Sequence, residues 1–349
     1  MTKKVYVGMS GGVDSSVTAA LLQDQGYDVT GVYMKNWTAN VAGYTCAWQT
    51  DFQDAKRVAV QLGIPIRVYD FEKQYRQQVV DIMLKEYQAG QTPNPDILCN
   101  QKIKFKLFLD TALNDGADMI ATGHYARVKN GKLFRAIDSN KDQTYFLYRV
   151  TAKALQKTIM PLGGLTKPQV RTLARRKKLA TAAKKDSQGI CFIGEIPIAE
   201  FLIAELGPQL PGPIIDQHGK QVGTHDGAIL YTIGQRHGFH VGGGLPYYVT
   251  GKHIGRNELY VTSDLQDMAL WKNVLEIVDI HWINQPPDDT HRYSVCVRYR
   301  SAPVDVDKIQ KLSVNHFRLV LTEDVKAVTP GQSAVIYSHN RCVGGGLIV

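Results

Sequence analysis

Residues 8–16 read Gly8-Met9-Ser10-Gly11-Gly12-Val13-Asp14-Ser15-Ser16, after a strand-like run at 4–9 and before a helical pattern carried by Val17, Ala20 and Leu21. A glycine-rich turn feeding a helix offers backbone N–H groups and the positive helix end to an anion, so its natural chemistry is phosphate binding. The string is neither G-x-G-x-x-G nor a Walker A loop, which needs a lysine for the terminal phosphates. A glycine turn opening a helix is also common as plain structure. Five cysteines, Cys46, Cys99, Cys191, Cys296 and Cys342, are scattered without a C-x-x-C pair. That excludes a zinc knuckle or disulfide framework read from spacing and fits free thiols in a reducing compartment. Cys99 follows a Pro-containing loop and Asp96, whereas Cys191 follows Lys184, Lys185 and a glycine turn. Nearby positive charge lowers a thiol's pKa and favours the nucleophilic thiolate.

The charge balance is 41 Lys and Arg against 32 Asp and Glu, a net +9, which makes a polyanionic partner worth testing. Arg171, Arg175, Arg176, Lys177, Lys178, Lys184 and Lys185 put seven of those charges into fifteen positions with no acid between them. Such a run is usually a solvated helix face. Beside Cys191 it predicts phosphate contacts whose strength falls as salt rises.

Something must position these groups. A chain of 349 residues predicts two or three domains, and 44% hydrophobic with 21% charged residues excludes long disorder. No apolar stretch reaches membrane-spanning length and the N-terminus runs straight into a strand, so the expectation is a soluble, cytoplasmic protein without membrane contact. The first two thirds alternate strand-like runs at 4–9, 28–34, 66–69 and 119–121 with amphipathic helical patterns, the signature of a mostly parallel α/β sheet. Asn130-Gly131 between two β-like runs predicts a hairpin with a type I′ turn. Thr166 ahead of Pro168 marks a further helix start. The Gly- and Pro-rich connector at 207–213 predicts a boundary, giving domains at 1–206, 207–273 (small and β-rich) and 274–349. The last reads as short strands only, including 294–300, 317–321 and 334–337, hence a small β-barrel.

The string Ser10-Gly11-Gly12-Val13-Asp14-Ser15-Ser16 resembles the loop of the PP-loop ATP pyrophosphatase superfamily, whose members activate an oxygen with AMP and release pyrophosphate. Further ordered motifs narrow the choice. They are Asn94-Pro95-Asp96 with Cys99-Asn100, Gly123-His124-Tyr125, Lys141-Asp142-Gln143, Asp186-Ser187-Gln188-Gly189-Ile190-Cys191, Tyr231-Thr232-Ile233-Gly234-Gln235-Arg236, Arg298-Tyr299-Arg300 and Thr329-Pro330-Gly331-Gln332. Together they resemble the tRNA-specific 2-thiouridylase family over essentially the whole chain. Two departures touch the grip on ATP and tRNA: the 37–46 loop lacks acidic residues frequent in relatives, and Gln101-Lys102 stands where a Lys-Glu pair is common.

The resemblance implies ATP-dependent 2-thiolation of the wobble uridine of lysine, glutamate and glutamine tRNAs. Oxide is a poor leaving group, so the uridine 2-oxygen is first adenylated. Cys191 would carry the sulfur as a persulfide, with Cys99 as partner thiol and Asp96 as general acid or base. ATP would contact Gly8, Met9, Ser10, Gly11, Gly12, Val13, Asp14, Ser15, Met34 and Gly123, with magnesium on Asp14. Asn94, Pro95 and Asp96 would receive the flipped base, and His124, Lys141, Asp142, Gln143, Arg298, Tyr299 and Gln332 would touch the tRNA. The implied partners are tRNA and a sulfur donor protein, a cysteine desulfurase or persulfide relay, and a monomer suits one tRNA. A PP-loop amide ligase acting on a small carboxylate, and a non-catalytic RNA-binding protein, are the alternatives; neither needs Cys99 and Cys191.

Overall fold

The computed structural model describes residues 2–186, 193, 194, 196–241, 246–288 and 290–349. In chain order, the first region contains strands Lys4–Gly8 (β1), Asp28–Lys35 (β2), Ile66–Asp70 (β3), Met119–Ala121 (β4), Ala126–Lys129 (β5), Lys132–Arg135 (β6) and Thr158–Ile159 (β7). Five of them form a parallel sheet in the order β3-β2-β1-β4-β7. Both faces are covered. Val5 and Val7 of β1 point into one apolar cluster with helices Val13–Asp24 (α1) and Trp48–Leu62 (α2), while Tyr6 points into another with the helical stretch at 72–114. That is the period-two alternation of a strand buried on both sides. Strand β7 has only two residues, too few to be foreseen from the sequence; the helix Ile198–Leu206, with Ile198, Phe201 and Leu202 at helical spacing, is an element the expectations did not include.

The middle region is a five-stranded sheet, ordered β10-β9-β8-β12-β11, from Gly212–Ile215 (β8), Gln221–His225 (β9), His240–Val241 (β10), Tyr248–His253 (β11) and Glu258–Thr262 (β12). The C-terminal region is a barrel of Trp271–Trp282 (β13), Tyr293–Cys296 (β14), Val304–Ser313 (β15), His316–Lys326 (β16), Ser333–Ser338 (β17) and Arg341–Ile348 (β18), closed by pairing of β13 with β18. Its first strand begins at Trp271, and two strand expectations change: three of the barrel's strands have ten to twelve residues rather than being short. The strand expected at 294–300 ends at Cys296, because the chain turns there and Arg300 adopts φ 63°.

The Asn130-Gly131 hairpin forms as its type I′ chemistry demands, with φ 51° and 69°. Its second strand, β6, pairs with β18, so this excursion of the first region extends the barrel's sheet. The barrel is further pinned by Tyr145 Oη donating to Ser333 O (2.9 Å), by Tyr148 Oη and Ser333 Oγ at 3.0 Å, and by Gln332 Nε2 donating to Thr92 O (2.7 Å).

Candidate functional site

The phosphate loop leaves β1 at the carboxyl edge of the parallel sheet, where open α/β sheets receive ligands. Gly11 has φ 73°, and a Cβ there would lie 2.2 Å from Asp51 O. No side chain caps the start of α1; Gly12 occupies the capping position with extended backbone. Ser15 and Ser16 instead donate to Gly12 O (3.2 and 2.8 Å), and Ser15 Oγ accepts from Ser10 N (3.2 Å). The first turn thus keeps the shape of an anion cradle. Gly123, at the end of β4, closes one side: a Cβ there would lie 2.9 Å from Asp14 C and Ser15 N. Met9 and Val13 are buried, so they offer a ligand only backbone; Met34 is also buried, its methyl beneath Gly8.

Lys167, which the motif reading missed, completes this end of the sheet. Its Nζ lies 2.8 Å from both carboxylate oxygens of Asp14 and 2.8 Å from Asp186 Oδ1, and the residue is 8% exposed. Asp186 also accepts from Lys141 (2.6 Å) and Arg171 (2.8 Å). Burial works against its ionisation, but the Lys141 and Lys167 contacts outweigh it and bring the carboxyl down to about 2. Tyr125 Oη donates to Asp14 Oδ1 (2.9 Å); burial and then the Asp14 charge push this phenol far above its ordinary range, so it stays a donor. A signal for Lys167 existed in the sequence. A lysine between the Thr166 cap and Pro168 sits in a helix's first turn, where the macrodipole disfavours cations, so a nearby anion has to hold it.

The basic run divides in two. Arg171 is taken by Asp186, Lys177 by Asp24 (2.6 Å) and Lys184 by Asp51 and Asp54 (2.8 and 2.7 Å). Arg175, Arg176, Lys178 and Lys185 are exposed. The acids missing from the run in sequence arrive from α1, α2 and the 186 position, so three of the seven charges are neutralised inside the protein.

Asn94 Oδ1 accepts from Asp96 N (3.1 Å), and Pro95 follows in the first turn of Pro95–Leu98. Cys99 comes next, wholly buried, where the helix widens to i→i+5 hydrogen bonding over Cys99–Phe108. Such widened turns are frequent at functional sites. Cys191 and the 187–190 part of its motif lie outside the described residues. Burial raises the thiol pKa of Cys46, Cys296 and Cys342, which matches their reading as structural residues.

The residues expected to touch tRNA are spread over two places. His124 is buried, its Nδ1 2.8 Å from Thr122 Oγ1 and its ring tilted against Phe105; burial holds the imidazole neutral. Gln143 Oε1 accepts from Tyr125 N (2.9 Å). Asp142 is 9% exposed, and its oxygens accept from Ala136 N (2.8 Å) and Thr144 Oγ1 (2.6 Å), so it shapes the turn. Far along the chain, Arg298 Nη2 donates to Ile233 O, Ala327 O and Thr329 Oγ1 (2.7, 2.7 and 2.9 Å), tying the middle sheet to the barrel. Tyr299 packs on Phe146 (ring centroids 4.3 Å) and Gln332 holds Thr92.

Nucleotide phosphates fit this loop: a cradle of glycine backbone, an uncapped helix start and a buried ammonium beside it. Magnesium fits less directly. Asp14 already carries the Lys167 ammonium, and among the described residues there is no group of three His, Cys, Asp or Glu that could hold a metal. Mg²⁺ is often bound by one or two carboxylates plus substrate phosphates, which is the only arrangement Asp14 could serve.

Three family models match in succession: a tRNA methyl transferase HUP domain over residues 3–195, a tRNA methyl transferase PRC-barrel domain over 199–263, and an aminomethyltransferase beta-barrel domain over 272–348. Among curated relatives, the tRNA-specific 2-thiouridylase MnmA of Geobacillus thermodenitrificans is 46% identical over 351 residues, covering 99% of this chain and 94% of that protein. The protein of the same name from Methylobacillus flagellatus is 47% identical over 360 residues, covering 100% and 99%. That of Bacillus subtilis is 45% identical over 351 residues, covering 99% and 94%. No helix among the described residues is long and apolar enough to cross a membrane.

Proposed function

The chain belongs to the tRNA-specific 2-thiouridylase family, and on that premise we propose how its residues carry out ATP-dependent tRNA 2-thiolation. The observation that carries the reading is the glycine cradle at the start of α1 with Lys167 held against Asp14 beside it. A phosphate loop serves adenylation, a step for which the methyl transfer in the family models' descriptions has no need.

The uridine 2-oxygen attacks the α-phosphorus of ATP and pyrophosphate leaves. Backbone N–H groups of the loop and the Lys167 ammonium stabilise the charge that develops on the phosphates. Tyr125 and Lys167 together keep Asp14 ionised and oriented. Magnesium held by Asp14 and the phosphates would add Lewis-acid stabilisation. AMP is then a far better leaving group from C2 than oxide. The terminal sulfur of a Cys191 persulfide supplies the nucleophile. Attack of the Cys99 thiolate on the inner Cys191 sulfur frees the terminal sulfur for C2 and leaves a Cys99–Cys191 disulfide, which an external thiol reductant resets. Asp96, one helical turn before Cys99, moves the proton. Asn94 and Pro95 border the flipped base, and the exposed Arg175, Arg176, Lys178 and Lys185 track RNA phosphates. The wobble uridine of lysine, glutamate and glutamine tRNAs is the substrate, a cysteine desulfurase or persulfide relay the sulfur source, and a monomer the working unit.

The test incubates the protein with unmodified lysine tRNA, ATP, magnesium and sulfide, and looks for 2-thiouridine in the digested tRNA by mass spectrometry. Product at the wobble position that disappears without ATP is expected. ATP turnover with bound tRNA and no thionucleoside would move the assignment to amide ligation. With a persulfide donor in place of sulfide, Cys99→Ser and Cys191→Ser should each leave no detectable product.

A further inference from the structure

A cavity of about 350 Å³ lies at the junction of the first region and the barrel, lined among others by Asn94, Gln101, Lys102, Arg149, Asp279 and Ser333. That volume falls within the range of ligand pockets, about 300–1,000 Å³. One wall is the helical segment that leads into Cys99.

Arg149 is the unusual group there. Its side chain is 10% exposed, Nη2 donates to Asp279 Oδ2 (2.7 Å), and Nη1 donates to Asp279 O (3.2 Å) and Tyr148 Oη (3.3 Å). Nε is buried and has no partner among the described residues. In a guanidinium, Nε–H and one Nη–H point the same way as a fork for two oxygens of one carboxylate or phosphate. Here that fork is half filled. Beside Arg149, His281 Nε2 is likewise buried without a partner. An unsatisfied buried donor costs about 1–3 kcal/mol, so the Arg149 Nε–H calls for a physical reason.

The carboxylate that half fills the fork is poorly anchored. The Asp279 side chain is 56% exposed, and the residue has φ 49° where β13 changes register between its partners. The left-handed region is strained for a non-glycine residue. Lys102 adds a second positive charge to the cavity wall. Glu86, also in the wall, is a carboxyl whose pKa is pushed up by burial and drawn down by the Arg149 charge.

We propose that Arg149 is a binding site for a backbone phosphate of the RNA substrate, and that Asp279 occupies it as a displaceable stand-in when RNA is absent. The phosphate would fill Nε and Nη2 together, with Lys102 as the second cation, and Asp279 would swing into solvent. The proposal rests on the tRNA reading above and adds a contact that ties RNA binding to the wall formed by Asn94, Leu98 and Gln101, on the segment that leads into Cys99.

The test measures affinity of the full chain for an anticodon stem-loop RNA by fluorescence anisotropy across a salt series, without ATP. Arg149→Met should weaken binding about tenfold, as expected for a charge-assisted contact, and reduce the salt slope by roughly 0.7–0.9, the share of one phosphate. Asp279→Asn should tighten binding severalfold, because the competing carboxylate is gone. A purely structural ion pair predicts the opposite sign: Asp279→Asn would lower the melting temperature and leave RNA affinity unchanged or weaker, which would overturn the proposal. Asp279 is exposed, so this variant decides the matter even if Arg149→Met fails to fold. Inorganic phosphate is the control ligand. If it raises the melting temperature through Arg149 while RNA affinity is the same in all variants, the site takes a small anion and the RNA assignment is wrong. Wild-type protein that binds no stem-loop at all would instead fail the tRNA reading itself.

Discussion

Two aspartates meet buried cations in this molecule with different consequences. At the phosphate loop, Asp14 shares Lys167 with Asp186, and Asp186 in turn takes Lys141 and Arg171. At the barrel junction, Asp279 makes the one ion pair to Arg149 among the described residues, from a strained and mostly exposed position, with Glu86 in the same cavity wall. The first arrangement is over-determined: several partners hold each group, so the charges stand ready before any ligand arrives, as electrostatic preorganisation requires. The second is under-determined, with one donor of the fork unpaired. A network of many partners preserves geometry, whereas a single exposed pair is easily exchanged.

Breaking the first region should have the largest effects. Lys167→Met should reduce tRNA-dependent pyrophosphate release by about 10²–10³-fold, the usual cost of one preorganised charge donor, while leaving stem-loop affinity nearly unchanged. An equal loss in RNA affinity would show that Lys167 serves binding instead. Gly123→Ala places a methyl against the backbone of Asp14 and Ser15, so it should raise the KM for ATP more than that for tRNA.

The pH dependence of stability sharpens the comparison next. The folded-state pKa of Asp186 is depressed from 3.8 to about 2. A depressed carboxyl stabilises the fold fully above its unfolded pKa, and that contribution is lost as pH falls between these two values. The free energy of unfolding of wild type minus that of Asp186→Asn, from denaturant melts at several pH values, should therefore shrink as pH drops from about 4 toward 2 and stay level above pH 5. No such convergence would mean that Lys167, Lys141 and Arg171 do not hold Asp186 in solution. Smallest of all should be Gln332→Ala, which removes one neutral hydrogen bond to Thr92 and should cost about 1 kcal/mol in the same melts. A much larger loss would make the junction more rigid than its single contacts suggest.

The phosphate loop was readable residue by residue, because Gly11, Gly12, Ser15 and Ser16 act through local backbone and hydrogen bonds within five positions. The Asn130-Gly131 turn was readable for the same reason, yet its pairing with β18 was not, since that depends on residues some 200 positions away. The seven-residue basic run was read correctly as charge and incompletely as surface: apart from Asp186, which directly follows it, its neutralising acids, Asp24, Asp51 and Asp54, lie more than a hundred positions upstream. Arg298 and Gln332 matched motifs, but only the fold reveals that they also bind the domains to one another.

By itself, the sequence determined what depends on near neighbours: the glycine turn that opens α1, the strand and helix periods of the parallel sheet, and the thiols available for sulfur chemistry. Tertiary structure alone decided which opposite charge the buried cations Lys167 and Arg149 meet. Lys167 and Asp14 are 153 positions apart, and Arg149 and Asp279 are 130 apart. A charge interacts strongly only over a few ångströms, and which groups come that close is set by the register and packing of whole elements.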